Sequence, residues 1–279
     1  MKTICIYHAE CIDGAAAAAV VVKKYQDVEL LPAKHGDLPP QNLQEKRVVI
    51  VDFSFSVDIL KDMASQASEI LWFDHHKTAL PIQKEVGFGI IDLTESGATL
   101  TWKQLFPNTS VPQILQYVRD KDIWLWELPQ SREISADIRE TENIYDPTAE
   151  CWKTFLKDIS DSELKAMVAR GVHSRRLLKD RLIGAGKRGF PITLDGHDAY
   201  AVNWTGDSSE LGEYIYKDLQ HPIALIFSYD GKQWTFSLRS KTVDVSEIAS
   251  KRGGGGHPGA AGFRKETLDI EWLFKSKKS

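Results

Sequence analysis

Short apolar runs that each stop at an acidic or imidazole residue set the pattern of the first half of the chain. Thr3 to Tyr7 is one and delivers His8, Cys11 and Asp13, with Gly14 following at once. Val48-Val49-Ile50-Val51 is a second and ends at Asp52, and Ile70-Leu71-Trp72-Phe73 is a third and ends at Asp74-His75-His76. Runs of this length read as buried strands. Ala15 to Val22 reads as a buried helix packed on the sheet, and Tyr117 to Trp124 is apolar on one helical face while carrying Asp120 and Asp122. Strand and helix signals alternate from Thr3 to about Trp126, the pattern of a parallel α/β sheet. Leu38-Pro39-Pro40 breaks one crossover and Pro107 to Pro112 another.

The period then changes. Glu127 to Pro147 is polar and shows no convincing periodicity. Ser160-Asp161-Ser162-Glu163 reads as a capping box opening a long helix with Leu164, Met167, Val168, Val172, Leu177, Leu178 and Leu182 as its apolar stripe, ended by Gly184 and Gly186. Beyond it come an apolar stretch from Ile192 to Trp204, a helix near Ser209 to Leu219, and a hairpin turning at Asp230-Gly231 whose outgoing strand ends at Arg239. The fold expected is α/β: a parallel-sheet domain over residues 1–158, a helical linker over 159–188 and a smaller α/β domain over 189–279. A chain of 279 residues, 42% hydrophobic, can bury two ordinary cores.

Two stretches carry the chemistry. Asp74-His75-His76 places an acid and two imidazoles at a strand end, where open α/β sheets put their sites. Arg252-Gly253-Gly254-Gly255-Gly256-His257-Pro258-Gly259 offers glycines that let backbone N–H groups approach an anion, followed by a histidine able to donate to it. One half is expected to bind metal and the other phosphate. Oxygen and imidazole donors at this density suit a hard or borderline divalent cation, and a carboxylate shared by two cations builds a two-metal phosphoryl-transfer site.

In these motifs the chain resembles the DHH/DHHA1 phosphoesterase superfamily, a group that includes nano-RNases, the RecJ exonuclease core, cyclic-dinucleotide phosphodiesterases and family II pyrophosphatases. His8-x-x-Cys11-x-Asp13-Gly14 looks like its first motif, Asp52 its second, Asp74-His75-His76 its third and Asp122-Ile123-Trp124 its fourth. Ser237-Leu238-Arg239-Ser240 with the glycine loop through His257 looks like its substrate-binding domain, so the likeness covers nearly the whole chain. The resemblance implies two cations bridged by Asp52, one completed by His8 and position 11, the other by Asp13, His75 and Asp122. It puts His76 beside the phosphate or leaving group. It assigns substrate binding to Arg239, Ser240, Gly254, Gly255, Gly256 and His257. Mn²⁺ is the first choice of cation, with Mg²⁺, Co²⁺ or Zn²⁺ as alternatives. Cys11 departs from the pattern, since many relatives carry aspartate there. Either the thiol ligates a softer metal, or it is inert and the first ion is held through His8, Asp52, water and substrate.

The implied activity is hydrolysis of phosphodiester bonds in short oligonucleotides or dinucleotides by metal-activated water. The alternatives are phosphoanhydride hydrolysis, as in an exopolyphosphatase, and a weakly active nucleotide-binding protein. A net charge of −4 argues against binding long duplexes by phosphate neutralisation. A small phosphorylated substrate or a short single strand fits, with Arg239, His257 and Lys77 as local positive contacts. A homodimer is left open. Cys5, Cys11 and Cys151 form no spaced framework and no apolar run reaches ~18 residues, so a cytoplasmic protein with reduced thiols and no membrane span is expected.

The remaining residues with reactive side chains read more plainly. Asp120 is either an exposed acid beside Arg119 and Lys121 or a support behind the metal ligands. His35, His173, His197 and His221 match no motif. Trp204, Tyr229, Trp234 and Phe236 suggest either a base-stacking platform or, more simply, core. The carboxy-terminal Lys275 to Ser279 reads as a solvated tail.

Overall fold

The computed structural model describes residues 1–34 and 36–266; His35 and the Lys275 to Ser279 tail lie outside the described residues. The chain divides into two compact units, Met1–Arg175 and Arg176–Ser279. In the first, β1 (Thr3–His8), β2 (Val28–Ala33), β3 (Arg47–Val51), β4 (Glu69–Asp74) and β5 (Ile90–Ile91) form a wholly parallel sheet in the order β2-β1-β3-β4-β5. Both faces are covered, which is why these strands read as unbroken apolar runs. Cys5, Tyr7, Val49, Val51 and Phe73 point into one core, while Ile4, Ile6, Val48, Ile50 and Trp72 point into the other.

The first core is closed by α1 (Ile12–Lys24), whose Ala15 to Ala19 are at most 2% exposed. The second core takes Leu60 and Met63 from α2 (Val57–Gln66) and Ala79 from α3 (Ala79–Val86). After β1 the chain winds to one side to make β2, then returns across β1 to make β3. The carboxyl ends of β1 and β3 therefore flank the crevice in which open α/β sheets hold ligands. Tyr7 pairs with Val51 and Val51 with Phe73, so His8, Asp52 and Asp74 leave the sheet at one level.

The unit continues through α4 (Gly97–Leu105), α5 (Gln113–Asp122), α6 (Ser131–Arg139) and α7 (Glu150–Phe155) into α8 (Asp161–Gly186). Helix α6 occupies part of the 127–147 stretch that shows no period in sequence. Ile134 and Ile138 alone of its long apolar residues are buried, a pair too short to register as a stripe. It is fixed from outside: the buried Asp137 accepts two 2.7 Å hydrogen bonds from the Arg170 guanidinium of α8. The start of α8 follows the sequence, with Ser160 Oγ accepting from Glu163 N. Its expected stripe does not hold throughout, because Val172 and Leu177 are 55% and 46% exposed.

In the second unit β6 (Phe190–Leu194), β7 (His197–Asn203), β8 (Ile223–Tyr229), β9 (Trp234–Ser240), β10 (Gly255–His257) and β11 (Ala260–Lys265) form a mixed sheet in the order β10-β11-β9-β8-β7-β6, antiparallel except between β7 and β8. One face packs on α9 (Ser208–Lys217) through Val202, Ala224, Ile226, Leu211 and Ile215. The other packs on α10 (Val245–Ser250), with Phe236 wholly buried beside Phe227, Leu238 and Phe263. Phe236 is thus core and not a stacking platform, and Trp234 packs against the same core.

Two glycines of α8 give a stability test. A Cβ at Gly171 would overlap the Glu133 carbonyl of α6, whereas one at Gly184 would meet nothing within 4 Å. Alanine normally stabilises a helix interior by roughly 0.5–1 kcal/mol over glycine. Gly184→Ala should therefore raise the denaturation midpoint. Gly171→Ala should lower it, by about 1–3 kcal/mol, because backbone must move. Equal effects in chemical denaturation would contradict this packing.

Candidate metal centre

The donors collect where β1, β3 and β4 stop. Asp52, 2% exposed, has a φ of +53°, a left-handed turn that aspartate tolerates, at the end of β3. Its two oxygens face different neighbours. Oδ1 lies 3.1 Å from His75 Nε2, and Oδ2 lies 3.6 Å from His8 Nδ1. Around His75 gather Asp122 Oδ2 at 3.3 Å and Asp13 Oδ2 at 3.8 Å. Three sets of donor atoms each lie within 4.8 Å of one another: His8, Cys11 and Asp52; Asp13, His75 and Asp122; and Asp52, Asp74, His75 and His76. All six residues that the sequence marks as metal ligands are therefore brought together.

The surrounding backbone explains why they hold still. Asp13, in the first turn of α1, accepts from Gly97 N at 2.5 Å and Ala98 N at 3.0 Å, so the amino end of α4 grips both its oxygens. Gly97 must be glycine for packing reasons: a Cβ there would lie 2.5 Å from Asp52 Cβ and 2.9 Å from Asp13 Oδ2. Ser96 before it caps α4 reciprocally with Thr99. Asp74, wholly buried, accepts from His75 N at 2.7 Å and from Ser54 Oγ at 2.5 Å, and it lies 2.7 Å from His76 Nδ1. That contact leaves Nε2 as the outward nitrogen of His76. Asp74 belongs to the Asp74-His75-His76 stretch marked in the sequence, whereas Ser54 and the Ser96-Gly97 pair do not stand out there; the only local signal is the Ser-x-x-Thr cap.

Asp120 is not the exposed acid that one reading of the sequence makes it. It is 1% exposed and its carboxylate accepts from Glu127 N and Leu128 N, closing the loop that follows Asp122.

The electrostatics are those of a site short of positive charge. Burial, then repulsion from Asp122 and Asp52, pushes Asp13 well above the usual carboxylate range. Burial raises Asp122 too. Burial also works against ionised Asp52, but the hydrogen bond with His75 and the nearby His8 and His76 imidazoles outweigh it and hold this carboxyl below its ordinary value. Burial works against protonated His75 and His76 as well. Their carboxylate neighbours, Asp52 for the first and Asp74 for the second, nevertheless raise them to about 10 and about 9. Cys11 is pushed up by burial and then by the nearby carboxylates, so its sulfur is a neutral thiol in the metal-free protein. Asp52 Oδ2 is buried without a hydrogen-bond partner among the described residues. A buried orphan oxygen amid carboxylates and imidazoles fits a divalent cation.

The phosphate-binding candidates lie in the second unit. Arg239 pairs with Ala260 and Ala260 with His257, so Arg239 and His257 share one sheet face, about 10 Å apart across two strand spacings. Only the small Ala260 stands between them. Arg239 donates to Ser209 Oγ at 3.1 Å and Ser208 Oγ at 3.3 Å at the amino end of α9, and burial lowers its guanidinium from the ordinary value. Of the expected glycines, Gly255 and Gly256 are strand residues of β10 and not loop. Gly256 has a φ of +139°, Gly254 is packed against Gly262 and Phe263, and a Cβ at Gly255 would meet nothing within 4 Å. Ser240 is 5% exposed, donates to Pro222 O at 2.7 Å and accepts from Thr242 N and Val243 N, so its hydroxyl ties the turn after β9.

Residues 199–275 match the family model of the DHHA1 domain. Oligoribonuclease NrnB of Bacillus subtilis (strain 168) is 26% identical over 230 residues, 73% of this chain and 54% of that protein. An uncharacterized protein of Acanthamoeba polyphaga mimivirus is 25% identical over 287 residues, 93% of this chain and 66% of that protein. The chain thus spans between about half and two thirds of these relatives. An exopolyphosphatase-related protein from Bacteroides fragilis shares the fold, with a TM-score of 0.51 at 12% identity over 98% of this chain and 89% of that one. Together with the motif order from His8 to His257, these likenesses place a DHHA1 domain at residues 199–275 and make the chain as a whole similar to the DHH/DHHA1 phosphoesterase superfamily.

Proposed function

We propose that this protein is a metal-dependent phosphodiesterase that cleaves short oligonucleotides or dinucleotides. Residues 1–158 would form the catalytic domain, 159–188 the helical linker and 189–279 the substrate-binding domain. The observation that carries the metal part is the division of Asp52, one oxygen toward His75 and the other toward His8. On that basis His8, Cys11 and Asp52 would hold one cation, and Asp52, Asp13, His75 and Asp122 the other. Cys11 enters its set as a neutral thiol in a carboxylate's place, a poor ligand for Mn²⁺ or Mg²⁺, and the choice of those ions rests on the carboxylates and imidazoles around it. Two such cations, when bound, supply the Lewis acidity that activates water and neutralises charge on a phosphoryl group. The oligonucleotide class is supported by the likeness to a protein named oligoribonuclease and by the net charge of −4.

The chain's own residues orient and move protons. Helix α4 clamps Asp13 in one rotamer, which fixes the position of its oxygens beside Asp52 and His75. Asp74 anchors His76 through Nδ1 and favours its protonated form, so Nε2 is the atom placed to give a proton to the departing ester oxygen. Arg239 and His257 grip a non-bridging phosphate oxygen pair from one sheet face, and the open space above Gly255 lets a backbone approach.

A panel of dinucleotide, short RNA, polyphosphate and pyrophosphate, each with Mn²⁺, Mg²⁺, Co²⁺ and Zn²⁺, tests the reading. Release of nucleoside monophosphate with Mn²⁺ is expected; orthophosphate release from polyphosphate alone would replace it with phosphoanhydride hydrolysis. Asp52→Asn should cut turnover by about a thousandfold or more, equivalent to ~4 kcal/mol of lost transition-state stabilisation, while leaving the unfolding transition in place. Near-normal turnover in the folded variant would remove the shared-carboxylate model. Arg239→Gln should raise KM by roughly 10–100-fold, the worth of a charged hydrogen bond to phosphate, with metal content unchanged. Loss of bound metal in that variant would show that Arg239 supports the cluster and not the substrate.

A further inference from the structure

The loop after Asp122 carries two tryptophans that serve neither the cluster nor the cores. Trp124 and Trp126 both have a φ of +60°, a region that bulky residues rarely enter and that structures retain where the surroundings enforce it. The enforcement is visible. Trp124 N donates to Lys121 O, Leu125 N and Trp126 N to Asp120 O, and the next two N–H groups to the buried Asp120 carboxylate. The outcome is an aromatic corner. The two indoles meet edge to face with centroids 4.9 Å apart, and the Arg132 guanidinium lies 4.1 Å from the Trp126 centroid and 6.0 Å from that of Trp124. Both rings are half-buried, so each keeps solvent-facing surface, and neither is among the described residues packed into the cores of this unit. Leu125 between them is 37% exposed.

Strained backbone that leaves two indoles partly in water has no packing return, yet it begins two residues past a carboxylate lying 3.3 Å from His75. We propose that Trp124, backed by Trp126 and Arg132, is the stacking surface for a nucleobase flanking the phosphate held at the cluster. The inference rests on the phosphodiesterase reading and narrows it: the substrate carries a base beside the scissile bond, and polyphosphate, which has no π-face, gains nothing from this corner. Arg132 over Trp126 holds that ring by cation–π attraction and fixes the angle at which Trp124 is presented.

The test compares Trp124→Leu and Trp124→Phe with the wild-type full chain, using a dinucleotide and the same diester lacking its bases. The ratio of kcat/KM for the dinucleotide to that for the abasic diester should fall about tenfold with leucine, the scale of one base–aromatic stack, and recover with phenylalanine. Adenosine 5′-monophosphate should quench wild-type tryptophan fluorescence where ribose 5-phosphate does not, a reading that needs no variant and no turnover. An unchanged ratio with leucine, an equal fall with both substitutions, or equal quenching by the two phosphates would overturn the proposal. Should the wild type cleave polyphosphate and not dinucleotides, the phosphodiesterase reading fails on its own, and the quenching comparison still decides the stacking surface.

Discussion

Negative charge crowded into a buried space is the constraint on which the rest of the first unit depends. Asp13, Asp52, Asp74 and Asp122 converge on the edge where β1, β3 and β4 end, with His75 and His76 among them. A folded chain tolerates that only if the three buried carboxylates, Asp13, Asp52 and Asp74, are separately secured. Asp13 is tied to the amino end of α4, Asp74 to Ser54 and two backbone N–H groups, and Asp52 to the imidazoles. The oxygen left over, Asp52 Oδ2, is the one facing His8. The site's geometry is thus built to be completed by cations, and its protons are what stand in for them meanwhile.

The architecture serves that end. The alanine run of α1 lets the helix lie close to the sheet, which carries Asp13 to within reach of α4. Gly97 does the same from the other side, since any side chain there would displace Asp52 and Asp13. The fixed loop after Asp122 sets a carboxylate of the cluster and an aromatic corner side by side at the end of α5. In the second unit a small residue between Arg239 and His257 leaves room for an anion on one sheet face, while the opposite face is filled with Phe227, Phe236 and Phe263.

The sheet and the residues that converge at its edge were legible in the chain because buried parallel strands are short apolar runs, and the residue after each run falls at the chemical edge. His8, Asp52 and His75 needed nothing more. What escaped was long-range or irregular. Gly97 matters through Asp13, 84 positions away, and nothing near it in sequence reports that partner. Helix α6 buries only Ile134 and Ile138 of its long apolar residues and is held by Arg170 from α8, so its own period is too weak to read. Asp120 and Ser240 sit among motif residues yet spend their oxygens on backbone N–H groups of nearby turns. The four glycines looked like one loop, whereas β10 takes two of them into an edge strand. The aromatics around Trp234 are core, the simpler of the two readings the sequence offers, and the corner at Trp124 was hidden because backbone conformation, and not composition, creates it.

Titration calorimetry of Mn²⁺ into the metal-free protein, in buffers of different ionisation enthalpy from pH 6 to 9, tests the central claim most directly. Ligation needs His75 without its proton, yet in the metal-free protein this ring is raised to about 10. Binding must therefore release protons, and affinity must climb with pH by up to about tenfold per unit for each proton released. The account predicts two ions per chain, net proton release at pH 7, and loss of both sites in Asp52→Asn. Binding that is independent of pH, releases no protons and survives in Asp52→Asn would contradict it.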